Sequence, residues 1–90
     1  MKYEWDEQKR QSNLRKHQLD FTVASQIFEG PIVERQDLRY NYGEDRFIAV
    51  GMAAGMMITV VYTWRGEKRR LISARPATKN ERKIYRELYF

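Results

Sequence analysis

Residues 47–62 read FIAVGMAAGMMITVVY, sixteen residues without a charge, and the fold turns on what that run is. A helix that crosses a bilayer needs about 20 apolar residues, so the run is short for one. It is rich in β-branched residues, which favour extended backbone, and it is interrupted at Ala53-Ala54-Gly55. It reads as two buried strands, 46–52 and 57–64, joined by a tight turn. The spacing of Gly51 and Gly55, which in an apolar helix would suggest dimerisation, is then incidental, and no membrane partner is expected.

Working outward from this hairpin, Arg65-Gly66 marks the next turn and 68–75 a third antiparallel strand, stopped by Pro76. Thr78 and Glu81 form a capping box that opens a last helix, with Ile84 and Leu88 on one stripe and Tyr85 and Tyr89 on its neighbour. Upstream, 38–45 is a polar loop and 32–37 an edge strand, charged in its second half. Gly30-Pro31 ends a helix that Asp20 caps and that Phe21, Ala24, Ile27 and Phe28 stripe. Residues 2–5 make a short first strand. Asp6 caps a polar helix running to about His17, with Lys9, Asn13 and His17 lined up at i, i+4 and i+8. The expected order is β-α-α-β-β-β-β-α, an α+β fold of helices packed on an antiparallel sheet. Ninety residues are too few for a second independent core, so residues 1–90 read as one domain.

Composition removes several function classes. The chain has no cysteine and one histidine, which leaves neither a disulfide framework nor a thiolate or histidine-rich metal site. No cofactor motif is present. The opening residues lack an apolar signal-peptide core, so a cytoplasmic location is expected. Net charge is +5, and its placement is uneven: residues 1–64 hold 8 Lys/Arg against 9 Asp/Glu, residues 65–90 hold 9 against 3. A basic tail of this kind suits a phosphate backbone or an acidic protein.

What remains for chemistry is arginine, lysine, tyrosine and His17. RNA carries its own nucleophile, the 2′-hydroxyl. An enzyme that cuts RNA need only hold the phosphate in line, neutralise the added charge of the pentavalent transition state, and move protons. Arginine does the first two through its planar fork of donors.

Trp5-Asp6-x-x-Lys9-x-x-x-Asn13-x-x-Lys16-His17, Asp20-Phe21, Gly43-Glu44-x-Arg46, Val61-Tyr62-Thr63, Leu71-Ile72-Ser73-Ala74-Arg75-x-Ala77 and Glu81-x-x-x-Tyr85 together resemble the BrnT toxins, in order and spacing over nearly the whole chain. The resemblance implies a RelE-like fold and a ribonuclease that arrests translation. It also implies a BrnA-type antitoxin as partner, with operator DNA contacted only through that antitoxin. Two departures stand out. Gln18 follows the histidine where the family has glycine, and Met57 stands just after the hairpin turn, where RelE-like toxins often place a basic residue.

Two candidate sites follow. The favoured one joins Arg75 and Tyr85 with Lys79 and Arg82, on the expectation that Arg69, Leu71, Ser73 and Arg75 share one strand face and that the last helix brings Tyr85 over it. The other joins Glu44, Arg46, Arg65 and Lys68 at the opposite lip, roughly 30 Å from Arg75 at about 3.3 Å per residue. His17 is the natural general acid or base, and Trp64 can stack a base. Lys68-Arg69-Arg70 can track phosphates, although alternation divides it between faces. Each has a plainer reading: a glutamate salt bridge for Arg75, core packing for Tyr85, a helix-end cap for His17. Without the resemblance, a non-catalytic nucleic-acid-binding module or a protein-interaction domain would serve as well.

Overall fold

The uncharged run is the central hairpin of a five-stranded sheet. A computed structural model describes residues 2–90. The strands are β1 (Tyr3–Trp5), β2 (Val33–Gln36), β3 (Arg46–Ala53), β4 (Met56–Arg65) and β5 (Lys68–Pro76); the helices are α1 (Glu7–His17), α2 (Phe21–Ala24) and α3 (Lys79–Tyr89), with a 3-10 turn at Ser25–Glu29 after α2. The turn between β3 and β4 places Ala54 at φ 52° and Gly55 at φ 76°, the two positive values that a tight hairpin turn needs. Asp6, Asp20 and Thr78 cap the three helices through their side chains, Thr78 and Glu81 as a reciprocal box. Among the described residues no helix is long and apolar enough to cross a membrane.

Strand order is β1-β5-β4-β3-β2. The four strands from β2 to β5 are antiparallel to their neighbours, but β1 runs parallel to β5, pairing Tyr3–Trp5 with Arg69–Leu71. The sheet is therefore mixed, because the chain reaches β5 from β1 only by crossing over the sheet through the first helices. The helices also divide between faces. Helices α1 and α2 and the 3-10 turn cover one face, burying Phe21, Ala24 and Ile27 on Ala49, Ile58, Val60, Tyr62, Leu71 and Ala74. Gly51 lies directly under the 3-10 turn, where an added Cβ would stand 2.8 Å from Ile27 Cβ, so this glycine is a packing requirement. Helix α3 covers half of the other face, setting Tyr85 against Val50, Val33 and Met57. The rest of that second face is left without a helix.

A bulge decides what the second face carries. Val61 pairs with Ser73 and Tyr62 with Leu71, leaving Ile72 without a partner on β4. The extra residue reverses the alternation of β5. Leu71 and Ala74 both enter the core under α1 and α2, whereas Arg70, Ser73 and Arg75 pair with Thr63, Val61 and Thr59 on the α3 side. The expected common face for Arg69, Leu71, Ser73 and Arg75 is thus corrected: Arg69 and Leu71 project one way, Ser73 and Arg75 the other. The bulge and the hairpin turn also shorten the separation of the two lips. Arg65 pairs with Lys68 and Thr59 with Arg75, so Arg65 and Arg75 lie six positions apart along β4, about 20 Å.

Candidate functional site: an arginine-lined sheet face

The uncovered half of the second face is built in rows across the strands. Arg46, Thr63, Arg70 and Glu4 make one row; Arg35, Ile48, Val61 and Ser73 the next; Val33, Val50, Thr59 and Arg75 a third, at the margin of α3. Arg46 and Arg70 flank Thr63 from either side. Their strands are each about 4.8 Å from β4, a separation that two guanidinium groups can span to reach one phosphodiester. Arg75 is two rows away, about 13 Å along the strand, and serves a different point on a ligand.

Every arginine on this face is oriented by a carboxylate. Glu4 receives Arg70 at 2.6 Å, Glu44 receives Arg46 at 3.1 Å and Arg65 at 3.6 Å, and Glu81 receives Arg75 at 2.7 Å with Arg35 at 3.9 Å. Five guanidinium groups share three carboxylates, so the face is ordered and still carries two positive charges in excess. Arg46 is further fixed over the Tyr42 ring, 4.1 Å from its centroid. Tyr42 in turn donates to Asp37, whose buried carboxylate also takes both ends of Arg39. Hydrogen bonds from Arg39 hold the Asp37 carboxyl well below the ordinary range, against the opposing effect of burial. The 37–45 loop is thereby tied to the sheet.

The site residues expected from sequence divide accordingly. Glu44, Arg46 and Arg65 do come together, with Lys68 exposed opposite Arg65. Arg75 is bound by both oxygens of Glu81 at the foot of α3, where Thr59 also donates to that carboxylate. Burial pushes the Glu81 carboxyl up, but Arg75, the Thr78 amide and Thr59 outweigh it and bring it down to about 2. Tyr85 does not overhang the face: its ring is 1% exposed and its hydroxyl donates to Pro31 O at 2.9 Å. Burial raises its pKa. Lys79 lines a groove on the outer side of α3 with Lys83 and Arg86, and Arg82 turns back to Ala77 O. His17 stands across the outer edge of β5, beside Ser73.

Arg69 is on the opposite face from Arg70. Its guanidinium lies among Phe28, Trp64 and Tyr62, at 4.2, 4.6 and 5.3 Å from the ring centroids, and its Nε is buried with no hydrogen-bond partner. Tyr62 at the centre of this cage donates to Glu34, and burial first, then that carboxylate, pushes its pKa up to about 12. Trp64, half-exposed, sits where the cage meets a hollow of about 310 Å³ shared with Glu44 and Arg65. Sequence reasoning passed over Arg35, Glu4 and Tyr42 and gave Arg70 no more than a place in a track. The only local signal was the three-residue step from Leu71 to Ala74, which strict alternation cannot bury on one side.

Fold and face together define a small α+β protein with a cationic sheet surface, ordered by carboxylates and closed at one end by a C-terminal helix. The family model described as the ribonuclease toxin BrnT of type II toxin–antitoxin systems matches residues 5–81 of the 90, and the chain belongs to that family. Membership makes it a ribonuclease toxin at the level of the family, with RNA as target and an antitoxin as partner. No individual curated protein matches the chain.

Proposed function

We propose that the chain is a metal-independent endoribonuclease that cuts RNA by attack of the 2′-hydroxyl on the adjacent phosphate, with the uncovered sheet face as its site. The observation that carries this reading is the row in which Arg46 and Arg70 flank Thr63. The scissile phosphate lies over β4 between the two guanidiniums. They supply the positive charge that the transition state requires, in a geometry their carboxylates have already set. Glu44, held between Arg46 and Arg65, takes the 2′-hydroxyl proton as the 2′-oxygen bonds to phosphorus; the P–O5′ bond breaks, and the 5′-oxygen leaves as a hydroxyl by taking a proton from solvent water. Arg65 and Lys68 extend the cationic lip, Trp64 stacks a base at the hollow beside it, and Arg75 steadies the strand of RNA further along. Tyr85 has no part in the chemistry, because its proton is committed to Pro31.

An antitoxin of the BrnA type, presenting an acidic segment, neutralises the toxin by covering the surplus positive charge, and the pair works in the cytoplasm. The test is cleavage of a labelled RNA by pure, antitoxin-free protein in EDTA, alone and with translating ribosomes. Products ending in a 2′,3′-cyclic phosphate and a 5′-hydroxyl are expected, and they disappear when a stoichiometric antitoxin is added. RNA left intact under both conditions refutes the reading.

A further inference from the structure

Beyond the arginine rows, a cleft of about 180 Å³ opens between α1 and the outer edge of β5. Lys9, Ser12, Lys16 and His17 line it from the helix and Ser73 from the strand. Its origin is the shortness of β1. Strand β1 pairs only with Arg69–Leu71, so past that point β5 has no strand neighbour, and α1 takes its place. Asn13 locks the two together: its amide accepts from Ala74 N at 3.0 Å and donates to Leu19 O at 3.0 Å. The side chains at positions 9, 16 and 17, seven and eight residues apart, fall on the same side of the helix and overhang Ser73.

The chemistry of the lining selects the ligand. Two lysines, an imidazole and two hydroxyls line the space beside Asn13 and Ile72, and no carboxylate does. On the sheet face each arginine has an acidic partner within 4.0 Å. Among the described residues neither lysine, nor His17, has one. The nearest acids on the helix are engaged elsewhere, Asp6 with the amides of Gln8 and Lys9 and Glu7 with Arg10. Uncompensated cations with hydroxyl donors suit a tetrahedral oxyanion, and the space equals about six water volumes, enough for one phosphate group. Ser73 belongs to the pair row between those of Arg70 and Arg75, so the cleft opens directly onto the proposed cleavage face.

We infer that this cleft is a second phosphate subsite, which takes the backbone phosphate next to the scissile one. The inference rests on the ribonuclease reading for its ligand. Under it, His17 is an anion-binding group, and the toxin favours substrates with at least two consecutive phosphates. A basic last turn also compensates a helix dipole, but that role makes no distinction between substrates of different length.

The experiment compares the parent with a Lys9→Gln/Lys16→Gln variant, in which both altered residues are exposed. Cleavage is measured on a dinucleotide with one phosphate and a trinucleotide with two. Loss of one charge-assisted contact is worth about tenfold. The variant loses two such contacts, so its KM for the trinucleotide is expected to rise up to about 10²-fold more than that for the dinucleotide, with kcat little changed. The slope of log affinity against log salt falls by roughly 0.7, the value for one phosphate on a single strand. Equal effects on both substrates, or none, overturn the subsite. Binding is followed separately by NMR of the imidazole of His17, the single histidine, on adding a 2′-O-methyl trinucleotide to the parent and to Arg70→Ala. Ring signals that move in both proteins support the cleft. Signals that stay fixed overturn it even if RNA is cut, and moving signals from a parent that cuts no RNA overturn the ribonuclease reading alone.

Discussion

Arg69 and Arg70 are adjacent in sequence and opposite in space, so replacing each by alanine separates function from stability. Arg70 is bonded to Glu4 at 2.6 Å, with side chains 29% and 32% exposed. A pair so open to water contributes about 0.2–1 kcal/mol, and in a domain of this size 1 kcal/mol moves Tm by roughly 4–8 °C. Arg70→Ala therefore melts no more than about 8 °C below the parent. Its rate should fall far more, by about 10²–10³, the effect of removing one donor aimed at transition-state charge. Arg69→Ala should do the reverse. Its cation contacts three rings, each worth about 0.5–1 kcal/mol and more where desolvated. Because one charge is shared among them, a total near 2 kcal/mol is expected, or about 8–16 °C in Tm, while the folded fraction still cleaves. Initial rates on a labelled oligonucleotide at a temperature below both melting transitions, alongside thermal melts by circular dichroism, measure the two effects. If folded Arg69→Ala were inactive, or if Arg70→Ala cut at the parental rate, the phosphate would not lie on the α3 side of the sheet.

Glu81 titrates at about 2 in the folded protein against its ordinary value of 4.5, so its contribution is complete above pH 4.5 and is lost as pH falls toward 2. Denaturant unfolding of the parent should lose up to about 3 kcal/mol over that interval, and Glu81→Gln should lack this component of the pH dependence. Gly51→Ala drives a methyl to 2.8 Å from Ile27 Cβ and 3.3 Å from its carbonyl; a loss of about 1–3 kcal/mol is expected, read as a lower denaturation midpoint with unchanged slope. Gln18 holds φ 54° at the end of α1, a conformation that costs a side chain roughly 1–2 kcal/mol. Gln18→Gly should raise stability by up to about 1 kcal/mol after the entropy of glycine is subtracted, and a lower Tm would show that Gln18 is not strained. Glu4→Gln removes a charge from the face and the orienting partner of Arg70; steady-state kinetics should show KM and kcat falling together, and an unchanged kcat would mean that Glu4 does not position the arginine.

What the sequence disclosed and what it concealed follow from the range of the interactions. The hairpin was legible because a break of Ala53-Ala54-Gly55 inside a β-branched run is a local signal, as were the caps at Asp6, Asp20 and Thr78 and the box with Glu81. The resemblance to a toxin family was equally legible, since order and spacing of motifs survive without knowledge of contacts. The parallel pairing of β1 was not: it joins Tyr3 to Arg69, and no local propensity distinguishes parallel from antiparallel in a three-residue strand. Nor were the ion pairs that order the face, which reach from Glu4 to Arg70 and from Arg35 to Glu81.

The bulge at Ile72 matters most, because one unpaired residue in β5 redistributes the chemistry of the whole strand. Glycine and proline are the residues that usually announce an irregularity, and Leu71-Ile72-Ser73 has neither. Without it, Arg75 would project with Arg69 toward α1 and α2, where Ala74 now packs, and Ser73 would be turned away from the face. With it, Arg70, Ser73 and Arg75 join Arg46 and Arg35, which β3 and β2 had already placed there. The arginines of β5 are thus divided by simple alternation up to Leu71 and by the bulge beyond it. Arg69 is given to an aromatic cage that closes the core, Arg70 and Arg75 are given to the open face, and where β1 ends the free edge of β5 becomes the cleft under α1. An insertion or deletion of one residue in β5 away from the bulge should consequently be far more damaging to this protein than any conservative change along it. Such a change would turn over the strand on one side of it, burying a guanidinium or exposing Leu71, whereas loss of Ile72 itself would remove the unpaired residue and leave Leu71 and Ala74 inward and Arg75 on the open face.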